Sequence, residues 1–270
     1  MGPASNDRVI IDWIRRDTTF SESCDQPNWL WGRADIFMAS ANSVSGTAAS
    51  SPIGSGGSMA RFTIVNERLY TVSLSSLEVF NISNAGDPHP ANTIHIGWNI
   101  ETIYPFKNKL FIGSRDGMFI YNVTNADAPV AAGQFNHARS CDPVIADDEY
   151  AYVTLRSGTT CEGFSNQLDI VKLSNTTDPV LLKTYPMKNP HGLSMDGNLL
   201  FICDGAAGLK VYDAADVLNL KQLNEINGMN TYDVIAMNKI ALVVAKDGLY
   251  QYSYSDPKNM HLLSKITVNK

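Results

Sequence analysis

The chain has 270 residues, 44% of them hydrophobic, which is enough apolar material for one sizeable core. Its net charge of −6 argues against a nucleic-acid partner, which would want a basic face. No apolar run approaches the ~18 residues that a membrane-spanning segment needs. The opening residues MGPASNDRVIIDW lack the charged and apolar regions of a secretion signal, so the protein is expected either in the cytoplasm or as a form whose signal segment is not present in this sequence.

Residues 1–58 carry two strand-like pieces, Val9-Ile10-Ile11 and Trp29-Leu30-Trp31, followed by the low-complexity run SANSVSGTAASSPIGSGGS. A Ser/Gly-rich run has little to bury and reads as a linker. The segment is expected to be an N-terminal extension, either a tether on the surface or a lid over one face.

From residue 59 a pattern repeats five times. Its second copy is KNKLFIGSRDGMFIYNVTNADAPV, residues 107–130. Anchored on Phe80, Tyr121, Val171, Tyr212 and Tyr252, the copies are 41, 50, 41 and 40 residues apart. A period of roughly 40–45 residues made of short alternating strands marks propeller blades. The expected fold is therefore all-β, a five-bladed β-propeller of four-stranded blades over 59–270, with blades at 59–98, 99–139, 140–189, 190–229 and 230–270. Six blades are the alternative, with Asn28 to Met38 supplying two strands of a degenerate N-terminal blade.

Each copy offers strands a to d from the centre outwards. In the second they are WNIETIYPF, KLFIGS, MFIYNV and VAAGQF. The b–c link holds Asp116-Gly117, with Asp204-Gly205 and Asp247-Gly248 in later copies, a dipeptide suited to hairpin turns. The c–d link holds Asn125-Ala126-Asp127 before Pro129, and Asn175-Thr176-Thr177-Asp178-Pro179 in the third copy. Asn and Asp bond their own backbone in turns, and Pro suits the entry to an edge strand. The sequons at Asn81, Asn122 and Asn175 read as strand-c ends and turns. Tyr70, Phe111, Phe119, Tyr152 and Phe201 fall on strands and are expected between blades.

The runs Leu77-Glu78-Val79-Phe80-Asn81-Ile82-Ser83-Asn84 and Met118-Phe119-Ile120-Tyr121-Asn122-Val123-Thr124-Asn125 close strand c in their copies. In these the chain resembles the LVIVD-repeat β-propeller family over about residues 59–270, with weaker matches in the last two copies. The resemblance implies a bacterial surface or lipoprotein-type propeller, Bacteroidetes-like, with no established enzymatic activity.

Cys141 precedes strand a of the third copy, and Cys161 lies in the insertion that lengthens that copy. Both links open on one face, so a Cys141–Cys161 disulfide is expected, stabilising by roughly 2–4 kcal/mol on the chain-entropy model. Free thiols, or a metal site with Cys203, are the alternatives. The disulfide would place the protein in an oxidising compartment, the periplasm or cell surface. Cys24 is left to pair with Cys203 or stay free.

Equivalent positions at the start of strand a lie on one ring around the channel. Counting back from strand b puts Glu101, Asp142 and His191 there, with Ala60 and its neighbour Arg61 in the first copy, and Thr231 or, allowing a two-residue slip, Asp233 in the fifth. Asp116, Arg139, Arg156, Asp204 and Asp247 would stand around the rim. Carboxylates converging on one mouth repel unless a cation, a proton or a basic group joins them. Calcium is then the expected cation, because oxygen ligands predominate; no other cofactor is implied. Asp in an Asp-Gly turn more often serves the turn than a ligand.

No phosphate loop, nucleophile elbow or zinc-protease motif occurs. The function expected is a non-catalytic, monomeric surface or periplasmic propeller that binds a protein, glycan or other ligand on its loop-rich face. The alternative is a carbohydrate hydrolase or lyase with channel carboxylates roughly 5–10 Å apart.

Overall fold

The computed structural model describes residues 56–136, 143–157 and 166–268. The N-terminal segment before Gly56, together with Arg139, Cys141, Asp142 and Cys161, lies outside the described residues. The readings of residues 1–55 and of the disulfide therefore stand as expectations.

Five four-stranded antiparallel sheets make the propeller, and no helix occurs among the described residues. Blade 1 holds β1 (Phe62–Val65), β2 (Arg68–Val72), β3 (Ser76–Asn81) and β4 (His89–His95). Blade 2 holds β5 (Ile100–Phe106), β6 (Lys109–Ser114), β7 (Gly117–Asn122) and β8 (Val130–Asn136). Blade 3 holds β9 (Val144–Ala146), β10 (Tyr150–Leu155), β11 (Gln167–Lys172) and β12 (Val180–Pro186). Blade 4 holds β13 (Leu193–Asp196), β14 (Leu199–Cys203), β15 (Leu209–Asp213) and β16 (Lys221–Ile226). Blade 5 holds β17 (Thr231–Met237), β18 (Ile240–Ala245), β19 (Gly248–Ser253) and β20 (His261–Thr267).

The repeat is physical as well as textual. In every blade the c–d pairing shifts register at one phase: Val79/Phe80, Ile120/Tyr121, Ile170/Val171, Val211/Tyr212 and Gln251/Tyr252. A bulge bends the strand and raises its twist, so five equivalent bulges give five equivalently twisted blades. The turn chemistry repeats too. Asn84 Oδ1 accepts from Gly86 N at 3.1 Å, Asn125 Oδ1 from Asp127 N at 3.2 Å, and Asn175 Oδ1 from Thr177 N at 3.1 Å. Gly117 is required by space, because a Cβ there would sit 2.4 Å from the Phe135 carbonyl oxygen of β8.

Side chains alternate across each strand, so consecutive blades from 1 to 5 bury apolar faces against each other. Tyr70 and Val79 of blade 1 meet Ile103 and Leu110 of blade 2. Phe111 and Ile120 of blade 2 meet Val144 and Val153 of blade 3. Tyr152 and Ile170 of blade 3 meet Leu193 and Leu200 of blade 4. Phe201 and Val211 of blade 4 meet Val234 and Val243 of blade 5. Tyr70, Phe111, Tyr152 and Phe201 are all buried, and Phe119 packs half-buried at the blade 1–2 contact.

No such apolar cluster joins blade 5 to blade 1 among the described residues. Leu242 and Val244, on the flank of β18 away from blade 4, remain exposed. Among the described residues, the strap of residues 56–61 bonds the blades at both ends of the row. Within it, Ser58 bonds blades 4 and 5, Ala60 O accepts from Ile103 N of blade 2 at 2.9 Å, and Arg61 O accepts from Val72 N of blade 1 at 2.9 Å.

Candidate functional site: an arginine-lined channel mouth

The strand-a starts and b–c turns open on one face, and there they enclose a cavity of about 330 Å³. Blades 1 to 4 all contribute to it. The strap gives Met59 and Arg61, the b–c turns give Leu74 and Arg115, the start of β5 gives Asn99 to Thr102, and blades 3 and 4 give Pro143, Arg156 and His191.

A bulge presents Glu101. Ile100 pairs with Ser114 and Thr102 with Gly113, so Glu101 is the extra residue of the bulge, and it lines the cavity. There its Oε1 accepts from Arg115 Nε at 2.9 Å. Arg61 reaches across the blade junction, its Nη2 lying 3.4 Å from the carbonyls of both Val72 and Ile100. Arg156 follows β10 and is half-buried.

His191 is buried on the link before β13. Its backbone N donates to Cys203 O at 2.7 Å and its carbonyl accepts from Thr154 Oγ1 at 2.6 Å, which fixes the link to β14 and β10. The ring packs edge-on against Tyr232 and its Nε2 lies 3.2 Å from Asn189 Nδ2. Burial, with the Arg156 charge next, lowers its pKa to about 4, and Asp204 opposes this only in part. The imidazole is neutral at physiological pH.

The described lining thus carries three guanidinium groups, one carboxylate and a neutral imidazole. Among the described residues the lining is net cationic. The expected ring of carboxylates is not what the described residues form, and no group of three or more His, Cys, Asp or Glu among them is placed to hold a metal ion. Arg115 is the residue that sequence counting missed. Its signal was position alone, one residue ahead of Asp116-Gly117.

The remaining acids are placed elsewhere. In β17, Thr231 pairs with Ala245 and Asp233 with Val244, so the residue equivalent to Glu101 is Tyr232 and Asp233 matches Thr102. Asp233 therefore sits behind the strap rather than in the cavity lining. Asp204 is fully buried, paired with Lys210 Nζ at 2.5 Å and accepting from the backbone N of Asn189 at 2.7 Å and Lys188 at 3.0 Å. It organises the link that carries His191. Asp247 bonds Tyr250 OH at 2.7 Å and Lys265 Nζ at 2.6 Å and borders a different depression with Met229 and Val268. Asp116 is exposed in its turn, with its backbone N near Ser114 Oγ. Asp142 and Arg139 lie outside the described residues. Cys203 is a free thiol, buried at the end of β14.

No family model matches the chain, and no curated protein matches it. Solved structures do. A Lactobacillus plantarum protein is 17% identical with a TM-score of 0.60, covering 75% of this chain and 69% of its own. A functionally unknown protein from Desulfotomaculum acetoxidans is 13% identical with a TM-score of 0.60, covering 76% and 67%. The periplasmic gluconolactonase of Pseudomonas aeruginosa is 15% identical with a TM-score of 0.57, covering 77% and 68%. The chain is a β-propeller. At these identities the likeness is one of fold, which hosts many unrelated functions.

Proposed function

We propose that this protein is a non-catalytic binding propeller whose channel mouth takes an oxyanion-bearing ligand of small-molecule size, such as a sugar acid. The observation that carries this is the lining: Arg61, Arg115 and Arg156 face one cavity of about 330 Å³ with Glu101 as the described carboxylate. Guanidinium groups match carboxylate and phosphate geometry through paired N–H donors, and they stay charged at every physiological pH. The volume falls in the lower range of small-molecule pockets. Asn99 and Thr102 add polar groups, while Met59, Leu74 and Ile100 give apolar walls. Among the described residues a hydrolase would have only Glu101 as a lining carboxylate, already engaged by Arg115, and Asp142 would have to complete an acid–base pair.

Thermal shift against gluconate, citrate, sulfate, phosphate and calcium chloride tests the reading. The oxyanions should raise Tm in wild type and lose that effect in the Arg115→Gln/Arg156→Gln double variant. A calcium response with no oxyanion response would overturn it. A periplasmic or cell-surface location belongs to the same proposal and rests on the expected Cys141–Cys161 pair.

A further inference from the structure

We propose that Asp233 is a positioning residue for the anion site, a proton-sensitive clasp on the strap of residues 57–61 that supplies the cavity wall at Met59 and Arg61. The connection to ligand rests on the anion reading above; the clasp itself does not.

The geometry is that of a fastened strap. Ser58 is 1% exposed, and its hydroxyl accepts from Leu193 N of β13 at 2.8 Å while lying 3.3 Å from Asp233 Oδ1, to which it donates. Asp233 also accepts from Val234 N at 3.0 Å and from the backbone of Met59. Space is closed on both sides. A Cβ on Gly57 would lie 2.1 Å from Asp233 Oδ2, and one on Gly192 would lie 2.0 Å from Oδ1. The carboxyl is therefore gripped between the strap and the link that bears His191. Two residues beyond its contact with Met59, the strap ends at Arg61, and both residues line the cavity. The strap bonds to blades 4 and 5 through Ser58 and to blades 1 and 2 through Arg61 and Ala60, so the clasp holds that wall.

The titratable groups around Asp233 are Tyr232 on its own strand, His191 before β13, Cys203 and Asp204 at the end of β14, and Arg61 at the end of the strap. Of these, Cys203 senses the Asp233 charge, which helps raise its thiol pKa after burial. Burial raises Asp233 itself to about 6, against the three hydrogen bonds that favour its ionised form. A group with a raised folded pKa holds its structure best when protonated and weakens it as pH rises. Charging Asp233 thus favours an open strap in which the carboxylate is hydrated.

Amide hydrogen exchange at Met59 and Ala60 in the full-length protein, corrected for intrinsic exchange, tests the clasp. With a pKa of about 6 when clasped and 3.8 when open, opening should rise about 60-fold from pH 4 to pH 8. In Asp233→Asn, which keeps an oxygen acceptor and cannot ionise, protection should be independent of pH. A wild-type strap with no pH response, or the same response in Asp233→Asn, overturns the clasp; the wild-type series decides even if the variant fails to fold. Binding of inorganic sulfate, whose charge is constant from pH 5 to pH 8, should weaken with rising pH in wild type and stay flat in Asp233→Asn. If sulfate binds at no pH, the anion reading falls, and amide exchange alone supports or overturns the clasp.

Discussion

Arg115 and Glu101 form an ion pair at the channel mouth, Nε to Oε1 at 2.9 Å, with their side chains 38% and 24% exposed. A pair this wet contributes on the order of 0–1 kcal/mol to stability. Its consequence is for charge: Glu101 occupies one of three guanidinium groups that face the cavity and leaves the mouth cationic.

Glu101→Gln should therefore leave Tm nearly unchanged and tighten oxyanion binding, since Arg115 is freed and the negative charge is gone. Calorimetric titration with sulfate at low salt measures it. Weaker binding would make Glu101 a ligand-positioning group instead.

Asp233 and His191 pull stability in opposite directions over one pH window. Burial raises Asp233 to about 6 from 3.8, so its contribution is complete below the lower value and lost as pH rises through the upper. Burial and Arg156 lower His191 from 6.5 to about 4, so its contribution is complete above the upper value and lost as pH falls through the lower. The two effects nearly offset. Urea denaturation between pH 4 and pH 7 should show stability falling with pH in His191→Asn and rising with pH in Asp233→Asn. Equal slopes in the two variants would contradict both assignments.

Asp204→Ala should be far more damaging than Asp247→Ala. Asp204 is fully buried against Lys210 and caps the backbone of Lys188 and Asn189. Removing one member of a buried pair costs about 3–5 kcal/mol because the other charge is stranded. Asp247 is half exposed beside Lys265, so its loss should be close to neutral. Chemical denaturation of the two variants side by side checks the contrast.

Alkylation of the unfolded, unreduced protein should leave Cys141 and Cys161 unmodified, and reduction should expose them. Cys203, buried and free in the native fold, should label once unfolded. Modification of Cys141 and Cys161 without reductant would remove the support for an oxidising compartment.

The blades were legible because their signals are local and repeat: hairpin dipeptides, Asx turns and alternating apolar residues recur in phase. The anchors Phe80, Tyr121, Val171, Tyr212 and Tyr252 even coincide with the structural bulges. The site was legible only as a ring of positions. Which side chain turns inward depends on a second bulge, in β5 and β17, and counting residues from strand b cannot locate it. That bulge sends Glu101 into the cavity and puts Tyr232, not Asp233, at the equivalent point. The charge balance of the described lining was not legible for a related reason. Asp204 and Asp247 are neutralised by Lys210 and Lys265, each one hairpin partner away across the sheet, while Arg115 stands in a turn that the strand-based count passed over.

The most direct measurement is calorimetric titration of sulfate and gluconate into wild type, Arg115→Gln and Arg156→Gln at low ionic strength. Single-site binding in wild type should weaken at least about tenfold, or about 1.4 kcal/mol, in each variant, with Tm unchanged because both side chains lie at the open mouth. Undiminished affinity in both variants, or heat from calcium and none from either anion, would contradict an oxyanion site at this channel.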